Sequence, residues 1–517
     1  MTRNHWLAVG AILLVAAGLR LWDLDLRPPH HDEGVNGMFA DQVLRDGAYT
    51  YDPANYHGPS YFYLLAGSRK VFGFGLWQLR VPGAVLGIAM CLTPLLARRR
   101  LGATTAVAAC AVLAVSPTLV YYARYAIHET LLAALGLVVA ACVLRWAEHG
   151  RGAWMVAAAA ALAGMIATKE TTIIFVGVSG LWLLAEVAVE SVRGRRLTVL
   201  GRTASWSWRA TVVTFLALAV MATIHVLLFT GFFRAPRSLG EQLHRSVRAY
   251  VVWSETGTGH TGHAKDACYY LHLGVRYELV LYAVAVVGLI AGFRERWIRA
   301  PALVGFGMLA VYSAVSYKMP WLPMSWLALL ALPAAHGLTV LARLVADEVS
   351  TRIGRATTTI VALVPALVIT ARSSFVRPAD KVEQLAYVHT DADYNVWFPL
   401  IEAGGRRIGP ANLIVAVDHD AQWPLAWSLT PYKRTRWRAR GDEDVIIAAV
   451  SRAPAVEARF TRVYLRRQFQ IRDSAEPGYL YLRRSLYARI LDTRRLSASF
   501  VIVGSRVASD GFAVATR

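Results

Sequence analysis

The stretch WLAVGAILLVAAGLRLWDLDLRPPHHDEG, residues 6–34, decides how this chain is read. It opens with an apolar run from Trp6 to Leu19, close to the roughly 20 residues a helix needs to cross a bilayer. It ends on His30, His31, Asp32 and Glu33. Ionisable side chains are costly to place at a membrane boundary, so such a cluster points to function rather than packing. Arg3 ahead of the run imitates the charged start of a signal peptide. More apolar stretches follow, so the run reads as a retained first span.

Those further stretches lie near 76–97, 103–122, 127–146, 153–168, 171–190, 210–231, 272–292, 299–317, 322–342 and 357–371, which makes eleven candidate spans with the first, near 5–22. Charged residues are 17% of the chain, against about a quarter in soluble domains, and the deficit falls in the first 371 residues. The net charge of +21 comes mostly from arginines placed between apolar runs and in the tail. That placement fits lipid headgroups and topology control, and it argues against a nucleic-acid partner. Cys91, Cys110 and Cys142 fall in spans and Cys268 outside them, so no disulfide or zinc framework is present.

Arginine placement also orients the bundle. Arg98–Arg100, Arg145 and Arg151, the Arg193–Arg209 group, Arg294–Arg299 and Arg343–Arg355 occupy alternate loops. With the N-terminus inside, those loops are cytoplasmic. The other loops are then extracytoplasmic, and they hold the unusual chemistry. The first carries His30–Glu33, Tyr56-His57-Gly58-Pro59 and a polar-ended interfacial helix, Ser60–Phe72. The second is the turn Ala123–Glu129, the third Thr168-Lys169-Glu170. The fourth, about 232–271, holds His244, Arg245, Arg248, His260, His263, Lys265 and Asp266, and the fifth is Ser316–Trp321.

After Arg372 the pattern changes. Leu385–His389, Leu413–Val417, Val445–Val450 and Phe500–Val503 read as short buried strands, with a helix over Asp393–Glu402. The predicted fold is an all-α membrane bundle of about eleven helices over 1–372, followed by a small extracytoplasmic α/β domain over 373–517. The arginine-rich Arg462–Arg467 reads as a solvated or lipid-facing surface.

Asp32 and Glu33 are the candidate catalytic acids, since a carboxylate against an apolar wall can have its pKa raised into the working range of a base. Glu129 reads either as a partner for Arg124 or as a second acid which, with Asp32, would hold a hard divalent cation such as Mg²⁺ or Mn²⁺. Lys169 and Glu170 either pair with each other or serve a site. Arg124, Lys169, Arg245 and Lys318 are candidates to hold an anionic leaving group, although a lone interfacial lysine such as Lys318 also snorkels to headgroups. His57, His260 and His263 are candidate substrate contacts. His225 lies within a span and reads as a hydrogen-bonded core histidine.

Taken in order, these motifs resemble the GT-C superfamily of membrane glycosyltransferases, which includes the protein O-mannosyltransferases and the aminoarabinose transferases of lipid A. The nearest resemblance is to the flippase-activity-associated proteins of that superfamily. It rests on His30-His31-Asp32-Glu33-Gly34, Tyr56-His57-Gly58-Pro59, Ala123-Arg124-Tyr125-Ala126 followed by Glu129, Tyr317-Lys318-Met319-Pro320-Trp321, and the tail Val417-Asp418 with Trp423-Pro424 and Trp427. The resemblance implies a hexosyl or pentosyl transferase of the cell envelope, using a polyprenyl-phosphate sugar at an external site. The acceptor would be a glycan, a lipid or a protein. Asp32 matches the first-loop catalytic acid, Glu129 the second-loop acid and Lys169 a third-loop base. The Trp-Trp-Asp motif of oligosaccharyltransferases is missing, which argues against an Asn-x-Ser/Thr acceptor. The alternative reading is a lipid-linked oligosaccharide flippase or its accessory.

Overall fold

The computed structural model describes residues 1–54, 57–193, 198–199, 202–203, 207–259, 262–346, 351–472 and 475–504. The chain divides into two compact units. The first comprises Met1–Leu26, Asn36–Pro378 and Val382–Tyr387; the second comprises Arg27–Val35, Ala379–Lys381 and Val388–Arg517.

The first unit is helical, and all eleven apolar stretches form helix. Among the described residues, eight helices are long and apolar enough to span a membrane: Arg3–Leu21, Leu76–Leu101, His128–His149, Thr172–Val192, Trp208–Phe229, Arg296–Ala314, Met324–Val345 and Thr357–Val376. This is a multi-pass membrane protein. Ala153–Ile166 is apolar but shorter. Two stretches expected as single spans are broken instead. Ala103–Val115 and Pro117–Ala123 meet at 58°, and Tyr269–Tyr277 and Leu279–Ala291 meet at 99°.

A break in a span frees backbone groups that lipid cannot satisfy, so the protein must bond them itself. At the first break Pro117 lacks an amide hydrogen and Ser116 adopts φ −57°, ψ 121°. The buried Arg20 guanidinium donates to the carbonyls of Leu113 (2.8 Å) and Ala114 (2.9 Å). Thr370 Oγ1 donates to Val115 O at 2.7 Å. On the other side, the Thr118 amide and the Ser116 hydroxyl each donate to Glu278 Oε1 at 2.8 Å. Glu278 is itself the residue at the second break, so one broken helix caps the other.

Small residues bring the helices close, as membrane packing requires. A Cβ on Gly288 would lie 1.8 Å from Pro333 O, and one on Gly337 would lie 2.0 Å from Val284 O. Glycine at both positions lets Leu279–Ala291 lie directly on Met324–Ala346. The first three cysteines are buried and Cys268 is exposed. His225 is hydrogen-bonded to Ser246 Oγ at 2.8 Å, as expected, but it is half-buried rather than in the core.

The second unit is built on a six-stranded mixed sheet: β1 (Ile414–Asp418), β2 (Arg434–Arg436), β3 (Val445–Ala449), β4 (Val463–Phe469), β5 (Gly478–Arg483) and β6 (Val501–Gly504), in the order β2-β1-β3-β5-β4-β6. β1 is parallel to β2 and β3, and the remaining pairs are antiparallel. β1, buried up to Asp418, and the fully buried β3 match runs that sequence identifies; Phe500–Val503, expected as a buried strand, forms β6 but is mostly exposed. Leu385–His389 is not a strand; Leu385 is buried in the core of the helical unit. Arg462–Arg467, read as surface, lies largely in β4. Its arginines hide the strand pattern because Arg466 pairs with Glu457 at 2.8 Å while Tyr464, Leu465 and Phe469 are buried. The helix expected at Asp393–Glu402 runs from Tyr394 to Ile408.

Candidate active site

In the helical unit, two motifs far apart in sequence dock directly. Gly58 N donates to Thr168 O at 3.2 Å, Ser60 N donates to Ala167 O at 3.0 Å, and the two hydroxyls of Ser60 and Thr168 lie 2.8 Å apart. A Cβ on Gly58 would lie 2.3 Å from Ala167 O, so only glycine permits the approach. This docking sets His57 against the turn carrying Lys169 and Glu170.

The acids and bases then pair in a way that sequence left open. Lys169 and Glu170 do not pair with each other. The Lys169 ammonium bonds the Glu129 carboxylate, with the two side chains only 6% and 2% exposed. Glu170 Oε2 lies 2.9 Å from His57 Nδ1, and Tyr51 Oη donates to Glu170 Oε1 at 3.2 Å. Burial pushes the Glu170 carboxyl up to about 7, against the pull of the Lys169 charge and the Tyr51 bond. Trp253 covers His57 at 4.4 Å between ring centroids.

His57, Lys169 and Glu170 line a cavity of about 290 Å³ whose other walls include Tyr250, Trp253 and Leu322. Tyr250 and Trp253 come from an amphipathic helix, Leu239–Thr258, within the expected fourth loop. Their place in the site was not foreseen. The signal for the helix was present: Ser238 accepts from the Glu241 amide, a serine cap ahead of a glutamate. Residues from all five motif-bearing loops reach this region. The fourth and fifth zip together through Lys265 N to Ser316 O and Lys318 N to His263 O, both 3.1 Å.

Other predicted contacts are committed elsewhere. Arg124 is buried, and its guanidinium donates to the carbonyls of Leu19, Arg20, Trp22 and Asp23 at the end of the first helix. It caps that helix rather than facing a ligand, and Glu129 is not its partner. Arg245 is engaged by Asp52 at 3.4 Å and Glu241 at 3.2 Å. The Lys318 ammonium donates to the carbonyls of Val315 and Lys265, and Lys265 returns a bond to Lys318 O at 2.7 Å. Burial and the neighbouring Lys318 charge bring Lys265 down to about 8. His263 Nδ1 lies 2.9 Å from Tyr387 Oη. Tyr56 and His260 lie outside the described residues.

Asp32 and Glu33 belong to the second unit, at the start of the helix His31–Asp46. Glu33 is buried, and its Oε2 accepts from the His30 amide at 2.9 Å, as a capping-box carboxylate does at the start of a helix. Arg472 Nη1 donates to His31 Nδ1 at 3.0 Å, and burial lowers the His31 pKa. The tail motif meets this segment: the Trp423 ring lies 6.0 Å from His31, and a Cβ on Gly34 would lie 3.1 Å from Pro424 Cα. Asp32 is half-buried, and among the described residues its carboxylate has no hydrogen-bond or ion-pair partner.

Among the described residues no three His, Cys, Asp or Glu side chains gather as a metal set. Glu129, expected as a ligand with Asp32, is already neutralised by Lys169.

The chain superposes on known membrane glycosyltransferases. ArnT from Cupriavidus metallidurans, bound to undecaprenyl phosphate, is similar with a TM-score of 0.58 at 16% identity, covering 93% of this chain and 98% of ArnT. The Archaeoglobus fulgidus oligosaccharyltransferase tethered to an acceptor peptide gives a TM-score of 0.58 at 12% identity, covering 93% of this chain and 74% of that one. The same archaeon's AglB, in complex with an inhibitory peptide and a dolichol-phosphate, gives 0.53 at 12%, covering 92% and 74%. The fold is the GT-C fold. Residues 56–226 match the family model of dolichyl-phosphate-mannose-protein mannosyltransferases. At these identities the likeness shows a shared fold, and the family match covers less than half of the 517-residue chain. No curated protein sequence matches the chain.

Proposed function

We propose that this protein transfers a sugar from a polyprenyl-phosphate donor to an acceptor hydroxyl on the extracytoplasmic face, by single displacement with inversion. The observation that carries this reading is the state of Asp32. Glu33 caps a helix, Glu129 is held by Lys169, Glu170 by His57 and Tyr51, and Glu278 caps a broken span. Asp32 alone of these acids offers an uncommitted carboxylate among the described residues.

In the proposed reaction the acceptor oxygen attacks the anomeric carbon as the bond to the phosphate oxygen breaks. The electron pair leaves on the lipid phosphate, and the acceptor proton passes to Asp32. Within the helical unit, the apolar walls of the 290 Å³ cavity suit a prenyl chain, and Lys169 and His57 in its lining suit a phosphate. The arginine distribution supports the external side. The bound undecaprenyl phosphate of ArnT and dolichol-phosphate of AglB support the donor class. No step is routed through a metal.

The test is transfer in vitro from a panel of polyprenyl-phosphate sugars, with and without EDTA. Turnover that persists in EDTA and disappears in Asp32→Asn is expected. Loss in EDTA, restored by Mg²⁺ or Mn²⁺, would return Asp32 and Glu129 to the role of metal ligands. Transbilayer movement of a lipid-linked sugar without any transfer would favour a flippase.

A further inference from the structure

We infer that the second unit carries a binding site for a phosphate-bearing ligand, in an arginine-lined cleft between the end of β5 and the first turns of the following helix. The helix Arg484–Thr493 starts directly after β5, and Arg407 reaches the same place from the last turn of Tyr394–Ile408. The cleft holds about 710 Å³, and Arg407, Arg462, Arg483, Arg484, Ser485 and Arg489 line it.

The charge balance is the argument. Asp444 is the one carboxylate engaged by these arginines among the described residues; it is buried and holds Arg483 at 2.8 Å and Arg462 at 3.6 Å. Arg407 donates to Leu486 O at 3.2 Å, which ties the two helices together without neutralising the guanidinium. Arg484 and Arg489 are exposed and have no ion-pair partner among the described residues. Five guanidiniums against one carboxylate repel one another unless an anion enters.

The shape fits that anion. Arg462 and Arg483 are fixed by Asp444, so part of the cleft is set before a ligand arrives. Guanidinium forks match the oxygens of a phosphate bidentately. The helix supports the same sign: its first turn has no acidic residue and no side chain caps it, so its amides also face an anion. Phosphate oxygens are the shared chemistry of two sources, a lipid headgroup or a water-soluble phosphorylated ligand.

The experiment uses the intact protein in nanodiscs of phosphatidylcholine, with inorganic tripolyphosphate as probe and calorimetry as readout. Arg484→Ala/Arg489→Ala removes the two unpaired arginines at exposed positions. Arg466→Ala/Arg467→Ala removes two arginines of the neighbouring strand that do not line the cleft. Salt-sensitive binding is expected in wild type and in the strand variant, with affinity weakened about tenfold or more in the cleft variant. Repeating the titration with phosphatidylglycerol in the nanodisc separates the sources. Loss of tripolyphosphate binding in wild type would mean that headgroups fill the cleft; unchanged binding would mean a soluble ligand. No binding in phosphatidylcholine nanodiscs, or equal weakening in both variants, overturns the inference.

Discussion

His57 Nδ1 lies 2.9 Å from Glu170 Oε2, although the two residues are 113 positions apart. This pair makes a wall of the proposed donor cavity sensitive to pH. Burial lifts the Glu170 carboxyl from 4.5 to about 7. The folded protein therefore keeps a proton that the unfolded chain releases. The stabilising contribution is complete below the ordinary carboxyl value and is lost as pH rises through about 7. Glu170→Gln keeps the shape and removes the charge. It should unfold at a higher temperature than wild type at about pH 8, with little difference near pH 4. Parallel pH profiles for the two proteins would contradict this.

Asp32 and its neighbour Glu33 should separate cleanly. Asp32→Asn is expected to lower transfer by about 10²–10⁴-fold, the usual contribution of a general base, at unchanged unfolding temperature. Glu33→Ala removes the bond to the His30 amide and should cost about 0.5–2 kcal/mol of stability, as lost helix caps do. Full turnover in Asp32→Asn would remove it from the chemistry.

Lys169 and Glu129 form a buried ion pair, so removing one partner strands a charge. Lys169→Ala should destabilise the protein by about 3–5 kcal/mol. Lys169→Met combined with Glu129→Gln should recover most of that stability, read by thermal unfolding in detergent. Transfer should stay low in the double variant, because the positive charge near the departing phosphate is still missing. A double variant with restored turnover would make the pair purely structural.

The orientation is open to labelling. Glu255 lies on the amphipathic helix beside the cavity, and residue 195 belongs to an arginine-rich stretch of sequence outside the described residues. Cys268 is exposed and must first be replaced. Glu255→Cys should then react with an impermeant maleimide added outside whole cells, and Arg195→Cys should not. Equal external labelling of both would reject the proposed topology.

The positions of the helices were readable from the sequence because an apolar stretch of sufficient length has no other stable state in lipid. The same holds for β1 and β3, whose residues are apolar on both faces. The boundary histidines and charged residues were readable as candidates, since charge at a membrane boundary stands out. What they touch was not. Glu129 had Arg124 as its candidate partner nearby in sequence, and it bonds Lys169, 40 residues on. Arg124 looked like an anion contact, yet four carbonyls at the end of the first helix claim it. The break at Ser116 looked continuous because its cost is offset by Arg20, Thr370 and Glu278, which only folding brings there. Hydrophobic length is a local property that the chain carries in one dimension. The pairing of buried charges depends on which helices become neighbours, and that is decided by close contacts such as those at Gly58, Gly288 and Gly337.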